Sequence, residues 1–155
     1  MRVSSRFKLE PVDEPGKSRL VVDGHPTPTL VTGIDLEAQF DCRAGSLLLL
    51  TQDSPYEESL HMLLVAPGAK TAQQIPIEIL DELILGGAYT PGILTEVAVA
   101  GENSLEFSFF GKDRWRVTAH ANPRPAISGA LTSMGKRPLG YALRKRYLEL
   151  ESLVS

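Results

Sequence analysis

Four residues combine chemistry-capable side chains with close spacing: Asp53, Glu57, Glu58 and His61, within nine positions of one another. Carboxylates and an imidazole this near could hold a divalent metal or move a proton. If the segment is helical, Glu58 and His61 lie three apart on one face. If it is a strand following a loop, Glu57, Ser59 and His61 share a face. Either geometry supplies two ligands. A metal site built on Asp53, Glu58 and His61, or an acid–base site built on Glu57, Glu58 and His61, therefore needs help from other segments. A structural account covers the same residues. Ser54-Pro55-Tyr56-Glu57 has the form of a helix start, with Ser as cap, Pro in the first position and Glu three after the cap. His61 then serves as a half-buried polar residue.

A second set lies on one face of the stretch from Ile93 to Asn122: Glu96, Glu106, Ser108, Arg114, Arg116, Thr118 and His120. Arg116, Glu96 and Ser108 are its candidate ligand-binding residues. The competing explanation is a solvated cross-strand ladder of ion pairs, each contributing little. Other patterns fall short. Gly129 to Lys136 has five residues between its glycines where a phosphate loop has four, and Arg137 stands where Ser or Thr should hold the metal. His25, His61 and His120 are too scattered to read as a zinc site. Arg144-Lys145-Arg146, flanked by Tyr141 and Tyr147, is a thin footprint for nucleic acid on an acidic chain. No G-x-S-x-G, H-E-x-x-H, C-x-x-C or G-x-G-x-x-G occurs, and no cofactor is expected.

The element that positions the second set is a predicted three-stranded meander. Trp115, Val117, Ala119 and Ala121 alternate with Arg114, Arg116, Thr118, His120 and Asn122, and Leu105, Phe107 and Phe109 alternate with Ser104, Glu106 and Ser108. Period-two alternation marks a strand with one buried face. Gly101–Asn103 and Gly111–Asp113 read as three-residue hairpin loops. Pairing Ala100 with Ser104 and Phe110 with Arg114 stacks Val97, Phe107 and Val117 in one row and Val99, Leu105 and Ala119 in the next. The apolar face then comprises Ile93, Val97, Val99, Leu105, Phe107, Phe109, Trp115 and Val117. A slip of one residue would set Phe107 beside Arg116, so the facing is well specified.

Elsewhere, residues 1–17 are expected to be loosely ordered, with a possible short strand over Arg6–Glu10. Arg19–Asp23 reads as a strand, and Pro26 and Pro28 as an extended loop or sheet edge. Ile34, Leu36, Ala38, Phe40 and Cys42 alternate with polar residues, which places Cys42 on an apolar face as a buried thiol. The unbroken run Leu47–Leu50 predicts a central strand covered on both sides. Residues 55–66 carry both signals. Strand is the expectation, since the neighbours are strands, and helix is the alternative. Residues 67–78 read as a polar connection before Ile79–Leu85. Residues 123–137 read as a loop. Residues 138–153 read as a C-terminal helix on the stripe Leu139, Leu143, Tyr147, Leu150 and Leu153.

These elements add up to a single domain over 1–155, with an antiparallel β core over 18–122: a sandwich or curled barrel-like sheet carrying the C-terminal helix. The alternative is an α+β fold with a further helix near 55–66. The chain has 155 residues, 43% hydrophobic and 23% charged, as a globular domain should. No apolar run reaches the ~18 residues of a membrane span, so no membrane partner is expected. Met1–Phe7 shows no signal-peptide core, and one cysteine allows no internal disulfide. A cytoplasmic location is the expectation. The net charge of −3 is uneven: residues 123–155 carry six basic against two acidic groups, a net +4, which leaves −7 on residues 1–122. The expected function is binding of another protein, as a homo-oligomer or accessory module. The alternative is a metal-dependent or acid–base enzyme, or a small-ligand binder, using the Asp53–His61 segment.

Overall fold

The structure is a computed structural model and describes residues 1–52, 59–68, 76–86, 93–109, 113–125 and 145–153. These residues form three antiparallel sheets stacked in layers. The middle layer has the order β1 (Arg2–Val3), β5 (Asp35–Asp41), β6 (Ser46–Thr51), β7 (Ser59–Pro67), β8 (Ile77–Gly86). On one side lies the sheet β2 (Phe7–Pro11), β3 (Lys17–Val22), β4 (His25–Thr32). On the other lies β9 (Thr95–Val99), β10 (Ser104–Ser108), β11 (Arg114–Pro125), β12 (Lys145–Ser152).

The Leu47–Leu50 run is the middle strand β6, and all four leucines are fully buried. Side chains alternate across a strand, so Leu47 and Leu49 enter the core beneath β9–β12. Leu48 and Leu50 enter the core beneath β2–β4. Cross-strand rows continue this sorting. Ala38, Leu49, Met62 and Leu83 stand side by side on the first face, and Leu36, Leu50, His61 and Ile84 on the second. Gly45, which opens β6, has φ 155°, and a Cβ there would collide with the carbonyl oxygen of Val65. Only glycine fits that approach. The alternation read over Ile34–Cys42 is interrupted by a register shift between Leu36 and Ala38. Leu36 therefore packs into the second core while Ala38, Phe40 and Cys42 border the first, and Ile34 is exposed. Cys42 is half-buried, its thiol donating to the Gly45 carbonyl at 3.4 Å.

The N-terminal segment is paired rather than loose. β1 pairs with β5 and β2 with β3, and Phe7 is buried in the second core. The Gln39 side chain accepts from the Phe7 N–H at 2.9 Å and donates to the Phe7 carbonyl at 3.0 Å. The Arg19–Asp23 strand continues through a two-residue turn, Asp23-Gly24, with φ 51° and 80°, closed by the Val22–His25 pair. Asp-Gly suits this turn because both central residues take positive φ. Pro26 and Pro28 fall in the edge strand β4, where a missing N–H is tolerated.

Two helical readings, one an expectation and one an alternative, are corrected. Residues 145–152 are not helical: they form β12, antiparallel to β11. Tyr147, Leu150 and Leu153 fit a helical stripe, but Leu148-Glu149-Leu150-Glu151 also alternates with period two. The open side of β11 decides between them, because tertiary pairing overrides modest local propensity. Residues 138–144 lie outside the described residues. The helix alternative near 55–66 also fails where it can be seen, since Ser59–Pro67 is strand with Leu60–Val65 buried.

The meander keeps its facing but not its whole register. Val99 sits opposite Leu105, and the Ala100 N–H donates to the Ser104 carbonyl, as expected. Phe107, however, pairs with Trp115 rather than Val117, and the Phe109 N–H reaches the Asp113 carbonyl. The shift is two residues, so Leu105, Phe107, Phe109, Val117 and Ala119 still point inward and are buried. Ile93 and Val99, expected in that face, are 69% and 44% exposed, and Ala121 is exposed as well. The β9–β10 register slips between Glu106 and Ser108, and Glu96 takes a positive φ of 52°, so β9 bulges there. No helix among the described residues is long and apolar enough to cross a membrane.

Candidate functional site

Of the first candidate set, His61 alone falls among the described residues; Asp53, Glu57 and Glu58 lie outside them. β7 turns His61 toward the β2–β4 side, in the row with Leu50 and Ile84, and it is 6% exposed. Its Nδ1 stands 3.4 Å from Oε1 of Glu82 on β8. The sequence reading missed Glu82, because the β7–β8 register that brings it diagonally across from His61 has no local signal. Among the described residues, no group of three His, Cys, Asp or Glu side chains is placed to hold a metal ion.

The second set is brought together on the outer face of β9–β12. The Ser108 hydroxyl donates to Glu96 Oε2 at 3.2 Å, and Arg114 Nη1 reaches Ser108 Oγ at 3.2 Å and Glu96 Oε2 at 3.4 Å. Arg114 also lies 3.9 Å from Glu106. Arg116 reaches Glu106 at 3.4 Å and Glu151 at 2.7 Å. The Glu151 hydrogen bond, with Glu106 beside it, holds the Arg116 guanidinium above its ordinary pKa. His120 Nε2 is 2.8 Å from Glu149 Oε2, and the hydroxyls of Ser104 and Thr118 bond each other at 2.9 Å. These groups answer one another, as a solvated ladder does. Glu149 and Glu151 were missed because a helical reading of 138–153 sets them apart from β11.

A third constellation has no sequence signature. Asp81 on β8 is fully buried. Its Oδ2 accepts from the N–H groups of Tyr147 at 2.9 Å and Leu148 at 2.8 Å. Its Oδ1 accepts from the Glu82 N–H at 2.8 Å and faces Arg146 Nη2 at 3.3 Å. A buried carboxylate is tolerable when donors converge on it. Here they come from two sheets, so Asp81 fastens the outer side of β12 to β8. Arg146, part of the basic cluster, is turned to this carboxylate and donates to the Glu82 carbonyl.

The remaining sheet edges differ in how they end. β1 is two residues long. β4 carries two prolines, and its Thr29 hydroxyl donates to the Ile77 carbonyl of β8 at 2.8 Å. β2 is met by the Gln39 amide. Among the described residues, β9 has no strand on its outer side. In an antiparallel ladder, bonded and non-bonded pairs alternate. Since the Ala100 N–H bonds Ser104, the Val99–Leu105 pair is of the non-bonded kind, and the Val99 N–H and carbonyl point outward. Compared with protein-family models, curated proteins and solved structures, the chain matches none.

Proposed function

We propose that this protein acts by binding other proteins, taking a partner's strand along the outer side of β9. One observation carries this reading: β9 presents outward backbone groups and a 44%-exposed side chain at Val99, while β1 is short, β4 carries prolines, β12 is bonded by Asp81, and the longer edge β8 is met at its Ile77 and Glu82 carbonyls by Thr29 and Arg146. An open edge of this kind is a template for strand addition, in which main-chain bonds give affinity and alternate side chains give selectivity. The bulge at Glu96 limits the ladder to the stretch from Val97 onward, which suits a short partner segment.

The test is Val99→Pro. Proline here removes an outward N–H and leaves the β9–β10 bonds intact, so the variant should keep the wild-type melting temperature. Wild-type protein immobilised on resin should retain partners that the variant loses. Equal recovery by a folded variant counts against the reading.

A further inference from the structure

Asp23-Gly24, the β3–β4 turn, is the chain's one Asp-Gly or Asn-Gly pair. In such a pair the glycine nitrogen can attack the side-chain carboxyl before it, because glycine puts no side chain in the way. Ring closure sets ψ of the aspartate near about −120°, the value at the first central residue of a type II′ turn, where φ is about +60°. Asp23 already has φ 51°, so the peptide plane after it is what must turn over. Gly24 then leaves φ 80° for a negative value, which glycine accepts, and the strands stay joined, since types I′ and II′ are both hairpin turns. A Cβ on Gly24 would meet nothing within 4 Å, and its N–H finds no acceptor among the described residues.

One residue opposes the reaction. Arg6 Nε lies 3.2 and 3.3 Å from the two Asp23 carboxylate oxygens, and Nη2 lies 3.0 Å from one of them. The Arg6 carbonyl accepts the Asp23 N–H at 2.8 Å, and the guanidinium rests over the ring of buried Phe7, 5.7 Å from its centroid. Only a protonated carboxyl releases its oxygen as water. The Arg6 hydrogen bond, with a smaller charge effect from His25, holds the Asp23 carboxyl below its ordinary range, in the unreactive form.

We infer that Asp23-Gly24 is a site of spontaneous isomerisation to isoaspartate, restrained by Arg6. The Gly24 nitrogen bonds to Cγ of Asp23, the Cγ–hydroxyl bond breaks, and the hydroxyl departs as water with the proton that the nitrogen gives up. Water then opens the cyclic imide. Opening at Cγ restores aspartate, and opening at the main-chain carbonyl leaves isoaspartate, so the net change is an isomerisation. The chain then runs through Cβ, which adds one backbone atom to a two-residue turn closed by the Val22–His25 pair. The former main-chain carboxyl becomes a free, exposed carboxylate, the group that isoaspartyl methyltransferases esterify with S-adenosylmethionine.

Ageing the full chain in neutral buffer, below the melting transition, tests this with four proteins: wild type, Arg6→Ala, Arg6→Lys and Asp23→Glu. Thermal melts verify that each is folded. Isoaspartate is counted by methyl transfer from labelled S-adenosylmethionine with an isoaspartyl methyltransferase, and peptide mapping locates it, together with the imide, one water lighter. Wild type should gain label slowly, at residue 23. Arg6→Ala should gain it there several-fold faster with an unchanged melt. Arg6→Lys keeps a cation beside the carboxylate and should be slower than Arg6→Ala. Asp23→Glu, whose longer side chain closes a ring reluctantly, should lose the label. No label at residue 23 in Arg6→Ala, or equal labelling in Asp23→Glu, overturns the site. Equal rates in wild type and Arg6→Ala, or Arg6→Lys as fast as Arg6→Ala, overturn the restraint.

Discussion

β9 and β12 bound the same four-stranded sheet and end it in opposite ways. At β12 the outer side meets a fully buried carboxylate, and the N–H groups of Tyr147 and Leu148 are taken up by Asp81. At β9 the outer side meets no described strand, and the Val99 backbone faces outward. The contrast does not come from propensity: both strands alternate, and both hold valine or leucine against the first core. It comes from neighbours. β8 lies within reach of β12 and lends it an aspartate, whereas β9 pairs, among the described strands, with β10 alone. A sheet edge is thus closed or open according to the layer beside it, and the strand's own sequence says little about which.

The largest effect should come from the core that serves both edges. Phe107→Ala removes a fully buried aromatic and should cost about 3–5 kcal/mol, measured by denaturant unfolding. Amides of β9 and β12 should lose exchange protection together. A cost below about 1 kcal/mol would mean that Phe107 is not the shared centre. Asp81→Asn keeps the shape but sets an amide against backbone donors, and should cost about 1–3 kcal/mol. Here the comparison sharpens: exchange should quicken at Tyr147 and Leu148 while β9 amides stay as they were. Equal acceleration at both edges would show that Asp81 supports the whole sheet rather than one side of it.

The smallest effect is at the β3–β4 turn, an exposed carboxylate to set against buried Asp81. The Arg6 guanidinium bonds Asp23 at 3.0 Å, and that bond holds the Asp23 carboxyl below the ordinary range. A lowered folded-state pKa stabilises above the unfolded value, and the contribution is lost as pH falls through the lowered one. NMR titration should find Asp23 titrating low, and Arg6→Ala should return it to the ordinary range with little change in stability.

What was legible in the sequence follows from period. Facing in β10 and β11 could be read because a two-residue error leaves every side chain on its own side. The actual offset, Phe107 against Trp115, depends on the turn after Phe109 and could not be read. β12 was read as helix because Tyr147, Leu150 and Leu153 satisfy a 3.6 period as well as their neighbours satisfy a period of two. Only β11, far away in sequence, breaks that tie. Of the candidate sites, the polar residues of the meander do share one face, but the two-residue offset sets Arg114 rather than Arg116 beside Ser108 and Glu96 and pairs Arg116 with Glu106. Glu82, Asp81, Glu149 and Glu151 were missed because each gains its meaning from a long-range pairing.

The four leucines of β6 have one more consequence. Sliding that strand by one position would exchange Leu for Leu along most of its length, and neither core would register the difference. The run therefore supplies cohesion but almost no address. The address is written at its two ends: Gly45, where only a hydrogen fits against Val65; Ser46, whose hydroxyl bonds Asp41 at 2.8 Å; and Thr51, bonded to Glu37 at 2.7 Å. The most apolar segment of the molecule is kept in place by its polar margins.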